Sequence, residues 1–329
     1  MAYRFKLKES LRQGCRRIAC EQIDLVKSGP RPDLAREVWV HETRRTMKRT
    51  RALLKLVRSG CRPEDYKREN AALQAIARSL SGMRDRDVIH QTMSGLSGTG
   101  GRKLDAALAW LAAVLSSDDD GSSGGDTPAA TDPAEAIEGV ITALAEARER
   151  LSNIEVEGDV AEVLAAGLAD CQRRGRKALA RLEADNRSDE ALHDLRKAVQ
   201  TYQRQQALVS PVWPALQEVR VKAARDLARL LGSVQDLAVL AAEAARRADG
   251  AEGRPDASAR IAKACRKRQD DLEAIALPVA RRLFAPSPKS VAAELACGWA
   301  AAIALAKAGP IDGAAAAAGL QGEELVSAD

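Results

Sequence analysis

Two motifs occur twice in this chain, in the same order and at nearly the same separation, and that recurrence limits the folds open to it. Trp39–Arg58 reads WVHETRRTMKRTRALLKLVR and Ala191–Val209 reads ALHDLRKAVQTYQRQQALV. Placing His41 on His193 also places Arg44 on Arg196 and Arg45 on Lys197. Further on, RSLSGMRDRDVI (Arg78–Ile89) matches RLLGSVQDLAVL (Arg229–Leu240), pairing Leu80 with Leu231, Asp85 with Asp236 and Val88 with Val239. The step from His41 to Asp85 is 44 residues and that from His193 to Asp236 is 43. Repetition at this scale reads as a duplication, one folding unit built twice.

Each unit reads as helical. Aromatic residues are 3% of the chain and hydrophobic residues 46%, so the core must be Ala, Leu and Val in close contact. Such a core suits helix on helix and disfavours a sheet sandwich. Stop signals at Ser28-Gly29-Pro30 and Ser59-Gly60, and Pro63-Glu64-Asp65 as a start, bound the first helices. Helices are expected over 10–27, from a cap at Asp33 to Arg58, from 63 to Ser81-Gly82, through Val88, and over 102–115. The second half repeats the pattern over 134–152, 158–184, 188–209, 214–232, 234–249, 257–284 and 288–308. SSDDDGSSGGDTPAATDP (Ser116–Pro133) has no apolar anchor and reads as a flexible linker. The expected organisation is therefore residues 1–117 as a first helical half, 118–133 as linker, 134–308 as a second half and 309–329 as a tail.

Charge is uneven. Residues 1–117 hold 24 Lys and Arg against 12 Asp and Glu, while the whole chain has 51 against 46. A basic N-terminal part points to an anionic partner. Cys15, Cys20, Cys61, Cys171, Cys265 and Cys297 form no C-x-x-C pair and read as reduced core residues. The opening MAYRFKLKESLRQG has no apolar h-region, so no secretory signal is expected and a cytoplasmic setting is. Ala-rich 292–308 reads as a buried helix rather than a membrane span.

On a helix at about 100° per residue, His41, Arg44, Arg45, Lys48, Arg51 and Lys55 share roughly a third of the circumference. Trp39, Thr43, Thr46, Thr50, Leu53, Leu54 and Val57 fall opposite, toward a core, and Arg49 and Arg58 flank the basic stripe. Like charges at this spacing repel, and only Glu37 and Glu42 are available to interleave, so the stripe points to a ligand. On the companion helix His193, Arg196, Lys197 and Arg204 cluster, but Gln200 and Gln203 stand where Lys48 and Arg51 would match. Arg12, Arg16 and Arg17 in the first helix, Arg173, Lys177 and Arg181 in its counterpart, and the matched Arg78 and Arg229 add candidates, though each taken alone reads as a solvated side chain sooner than as a ligand contact. No metal-ligand spacing recurs in both copies, and nothing calls for a cofactor or a catalytic group.

At H-E-T-R-R-T-M-K-R-T-R and L-H-D-L-R-K, followed by M-R-D-R-D-V, the chain resembles the CHAD family, the conserved histidine α-helical domain, over roughly Tyr3 to Ala306. The resemblance implies an all-α fold of two four-helix-bundle-like halves related by a pseudo-twofold around a basic groove or cavity that holds inorganic polyphosphate. It also implies association with polyphosphate granules in a bacterial cytoplasm. His41, Arg44, Lys48 and Arg51 would line the groove from one half, and His193, Arg196 and Lys197 from the other. Gln200, Gln203, Gln235 and Ala238 depart from a symmetric grip, so the first half is expected to dominate.

Two rivals use the same residues. Nucleic acid and other polyanions would fit the basic stripe, against which stands the scarcity of aromatics to stack bases. An accessory to an enzyme of polyphosphate or triphosphate metabolism would want acidic strands; Ile154-Glu155-Val156-Glu157-Gly158-Asp159 alternates but stands alone among helices. Gly95–Lys103 (GLSGTGGRK) lacks the G-K-[ST] of a phosphate loop.

Overall fold

A computed structural model of the chain describes residues 3–31, 35–80, 85–117, 133–184, 188–249 and 253–308. The expected cap at Asp33, the linker up to residue 132 and the tail lie outside them. The described helices are α1 (Leu11–Asp24), α2 (Arg36–Leu56), α3 (Pro63–Ser79), α4 (Asp85–Leu96), α5 (Arg102–Ser117), α6 (Pro133–Ser152), α7 (Val160–Ala184), α8 (Asp189–Leu208), α9 (Pro214–Ala248), α10 (Pro255–Phe284) and α11 (Pro288–Ala308). Among the described residues the strand-like pairing is one isolated bridge between Cys61 and Val156.

Local chemistry explains the boundaries. Ser10 opens α1 through a capping box in which its hydroxyl accepts from Gln13 N while the Gln13 side chain accepts from Ser10 N. Pro63 sits at the first turn of α3, where a missing N–H costs nothing. Ser188 caps α8 by accepting from Ala191 N at 3.3 Å. The expected break at Gly232-Ser233 does not occur: α9 runs unbroken from Pro214 to Ala248. A glycine inside a helix costs about 1 kcal/mol, and here Gly232 is buried inside α9 and its missing Cβ leaves room for the Arg196 guanidinium.

Packing makes two closed rings of four helices. α1 packs on α2 and α6, and α3 on α2 and α6; α7 packs on α8 and α10, and α9 on α8 and α10. Contacts of α2 with α7 and α8 join the rings. Two apolar cores result, one centred on Ile18, Leu53, Leu73, Leu144 and Leu164, the other on Leu111, Leu182, Leu195, Leu227 and Ile261. Their membership does not follow chain order: α4 and α5 line the second core, whereas α6 and the start of α7 line the first. Gly14 of α1 and Gly175 of α7 each seat a phenylalanine ring, Phe5 and Phe284 respectively.

Two expectations are corrected. α11 is not a buried helix: Leu295, Trp299 and Ala302 face inward, and only 17% of its most apolar window, of mean hydropathy 1.5, is buried. Among the described residues it is the one helix long and apolar enough to cross a membrane. Its alanines are too small to require a partner on every side, so it packs along one edge against α7. Cys297 is correspondingly exposed and Cys20 half-buried, while Cys15, Cys61, Cys171 and Cys265 are buried; all six are free thiols.

Candidate functional site: a crowded cation cluster

α2 carries the site because its two faces are chemically opposite. Trp39, Thr43, Thr46, Thr50, Leu53, Leu54 and Val57 are all buried, as their phase predicts. Trp39 Nε1 donates to Val26 O at 2.9 Å and Thr50 Oγ1 to Thr46 O at 3.1 Å, whereas the buried Thr43 hydroxyl has no hydrogen-bond partner among the described residues. On the other face His41 and Lys48 are exposed, and Arg44, Arg45, Arg49, Arg51 and Lys55 are half-buried.

The half-buried guanidiniums rest on neutral acceptors. Arg44 Nη1 donates to Ala77 O at 3.1 Å, near the C-terminal end of α3, a favourable place for a cation. Arg51 donates to Asn70 Oδ1 and Gln74 Oε1, both at 3.0 Å. Arg49 donates to Gln22 Oε1 at 3.4 Å and lies 5.3 Å over the Tyr3 ring, whose hydroxyl donates to Arg49 O at 2.7 Å. From α8, Arg204 Nη1 donates to Gln200 O at 2.6 Å. Amide and carbonyl oxygens hold these groups in place but leave their charge uncancelled. The carboxylate nearest Arg45 is Glu42, 3.3 Å from its Nε but off the N–H direction, so that buried nitrogen has no hydrogen bond.

The electrostatics follow from that crowding. Burial, then the charges of Arg51 and Arg174, push the Lys55 ammonium down to about 8, with Cys171 opposing and Arg204 adding to the fall. Burial pushes Arg204 down to about 10, with Tyr3 opposing and Arg49 and Arg45 adding. Arg49 is lowered by burial and then by Arg45, and Arg225 contributes. Arg51 is lowered by burial, and Arg78 adds to it. A cation in such surroundings is under-solvated and repelled, a state that a multivalent anion relieves.

The histidines are placed differently. His41 is exposed on α2. On α8, His193 Nδ1 and Arg196 Nη1 lie 3.1 and 2.7 Å from the same oxygen, Gln235 Oε1 of α9. An amide oxygen only accepts, so Arg196 donates to it and His193 shares it through the Nδ1 edge of its ring. Arg196 is thereby positioned by the very glutamine that breaks the repeat motif.

Several sequence candidates stand elsewhere and are matched by carboxylates. Arg12 and Arg16 each approach Glu155 at 2.8 Å, and Arg16 also donates to Ile154 O and Asn153 O. Arg17 is held by Glu9 at 2.7 Å and Glu21 at 3.4 Å. These three tie α1 to its flanking segments. Arg173 pairs with Asp170, Lys197 with Asp194, Arg181 with Glu190 and Asp194, and Arg229 with Asp226. Lys177 is exposed on α7 and Arg78 on the last turn of α3. The cluster adds three residues the sequence reading did not place in the site. Arg49 stood at the flank of the stripe; Arg174, which also pairs with Asp170 at 2.7 Å, and Arg225 give no signal within their own helices. Among the described residues no group of three His, Cys, Asp or Glu side chains could hold a metal ion.

A family model described as CHAD domain matches residues 29–245, which takes in α2, α7, α8 and nearly all of α9. No curated protein matches the chain.

Proposed function

The chain belongs to the CHAD domain family, and from that membership and the cation cluster we propose that it binds inorganic polyphosphate between α2 and α8, without a catalytic role. The carrying observation is that Arg49, Arg51, Lys55 and Arg204 are half-buried, that the three arginines rest on neutral acceptors, and that the four crowd one another so as to lower their hold on the proton. A folded protein keeps such repulsion where an anion offsets it, and a flexible chain with a charge on every phosphate meets several cations at once. Arginine's forked donors suit phosphate oxygens. On this reading the recurring His41/His193, Arg44/Arg196 and Gly14/Gly175 positions descend from a duplication, and the space between α2 and α8 is the basic groove. The cytoplasmic polyphosphate granule is then where the protein acts.

The test is affinity for long-chain polyphosphate across a salt series, for the wild type and for Lys55→Gln/Arg204→Gln. Two lost phosphate contacts should flatten the slope of log affinity against log salt by about 1.4, at roughly 0.7 per contact for a single strand. Affinity should fall at least about tenfold while the unliganded variant keeps or gains thermal stability, since repulsion has been removed. An unchanged affinity, or wild-type binding to RNA as tight as to polyphosphate, would remove the reading.

A further inference from the structure

The outer face of α10 is a second concentration of positive charge, outside the cluster just described and beyond the residues that the family model matches. Arg260 to Arg268 reads RIAKACRKR, five cations with no acid among them. Ile261 and Cys265 turn inward and are fully buried. Arg260, Lys263, Arg266 and Lys267 turn outward within roughly a third of the circumference, and all four are exposed. They stand three or four residues apart, where like charges repel along a helix.

Elsewhere this protein neutralises such positions. Arg68 faces Asp65, Arg173 faces Asp170, Arg229 faces Asp226, Arg246 faces Glu243 and Arg281 faces Glu183, each within 3.2 Å. Among the described residues none of the five cations of Arg260–Arg268 forms a pair of this kind, although Asp270 and Asp271 follow within a turn. The helix that carries this segment, α10, packs beside α9 and α5. At the other end of α10 Phe284 meets Tyr202, ring centroids 5.7 Å apart, two residues before Arg204. The middle of the patch is twenty residues from Phe284, about 30 Å along the helix axis at 1.5 Å per residue.

We infer that this face of α10 is a second polyphosphate-binding surface, separate from the α2–α8 cluster, so that a long chain engages both and a short chain engages one. The inference rests on the polyphosphate reading. Phosphate chains fit the face better than nucleic acid does, because its outward positions Ala259, Arg260, Lys263, Arg266 and Lys267 include no aromatic or amide group to stack or read a base.

The experiment uses the full chain and its Lys263→Gln/Arg266→Gln/Lys267→Gln variant; glutamine is a good helix former, and circular dichroism and a thermal midpoint confirm the fold. Each is titrated with a polyphosphate too short to span about 30 Å and with a long one. Two linked contacts give the wild type a long-chain advantage. The variant should keep the short-chain affinity and lose at least about tenfold on the long chain, with a salt slope shallower by about 2. Unchanged long-chain affinity overturns the inference. An equal loss on both chains also overturns it, since it means one shared site. A wild type that binds neither chain overturns the polyphosphate reading itself, a result distinct from all of these.

Discussion

At Lys55 the sign of the electrostatics can be followed through to a measurement. The ammonium, ordinarily at 10.5, is brought to about 8 by burial and by Arg51 and Arg174. Below pH 8 both folded and unfolded chains carry the charge, and the folded one bears the full cost of crowding it. Between about 8 and 10.5 the folded chain releases the proton first, so this group's contribution to stability rises with pH across that window. Polyphosphate favours the charged form, so its affinity should fall as pH passes 8, with proton uptake on binding. Isothermal titration in buffers of different ionisation enthalpy reads that uptake directly, and Lys55→Arg should abolish the pH step while retaining binding. A pH-independent affinity in the wild type would show that Lys55 does not meet the ligand.

Among the helices, the crossing of α2 over α7 decides how closely the cations approach. Gly167 of α7 lies against the Leu56 carbonyl at the end of α2, and a methyl group there would collide with backbone, which has no rotamer to move to. Gly167→Ala should therefore cost roughly 1–3 kcal/mol, seen as a lower midpoint in urea without a change in slope. Because Lys55 sits on the same last turn of α2, polyphosphate affinity should fall with it. Gly232 is a useful contrast, since its nearest neighbour is the far end of the flexible Arg196 side chain, 3.2 Å from an added Cβ. An alanine at 167 tolerated as well as one at 232 would refute the close crossing.

For the molecule as a whole, repulsion and binding are two readings of one charge distribution. Net charge is only +5, yet cations gather on α2 and α8 and on the outer face of α10 while carboxylates pair off elsewhere. A ligand that binds the folded chain alone raises its stability by an amount set by its concentration relative to Kd. Saturating polyphosphate should thus raise the thermal midpoint, and the rise should shrink steeply as salt increases. A midpoint that polyphosphate leaves unmoved at low salt would count against binding to the folded state.

What could be read along the chain was what depends on one helix at a time. The phase of Trp39 through Val57, the cap at Ser10, the start at Pro63 and the basic stripe of α2 follow from 3.6 residues per turn and from local hydrogen bonding, and they hold in the fold. The family resemblance was legible for the same reason, because its motifs are helix faces. What the tertiary structure alone decided was which faces meet. It brought Arg204 and Arg174 to Lys55, sent Arg12, Arg16 and Arg17 to carboxylates, carried α4 and α5 to the second core, and left α11 largely outside. Periodicity specifies the direction a side chain takes from its own axis; the distance to a charge on another helix depends on how both helices pack, and a single glycine opposite a carbonyl can set it.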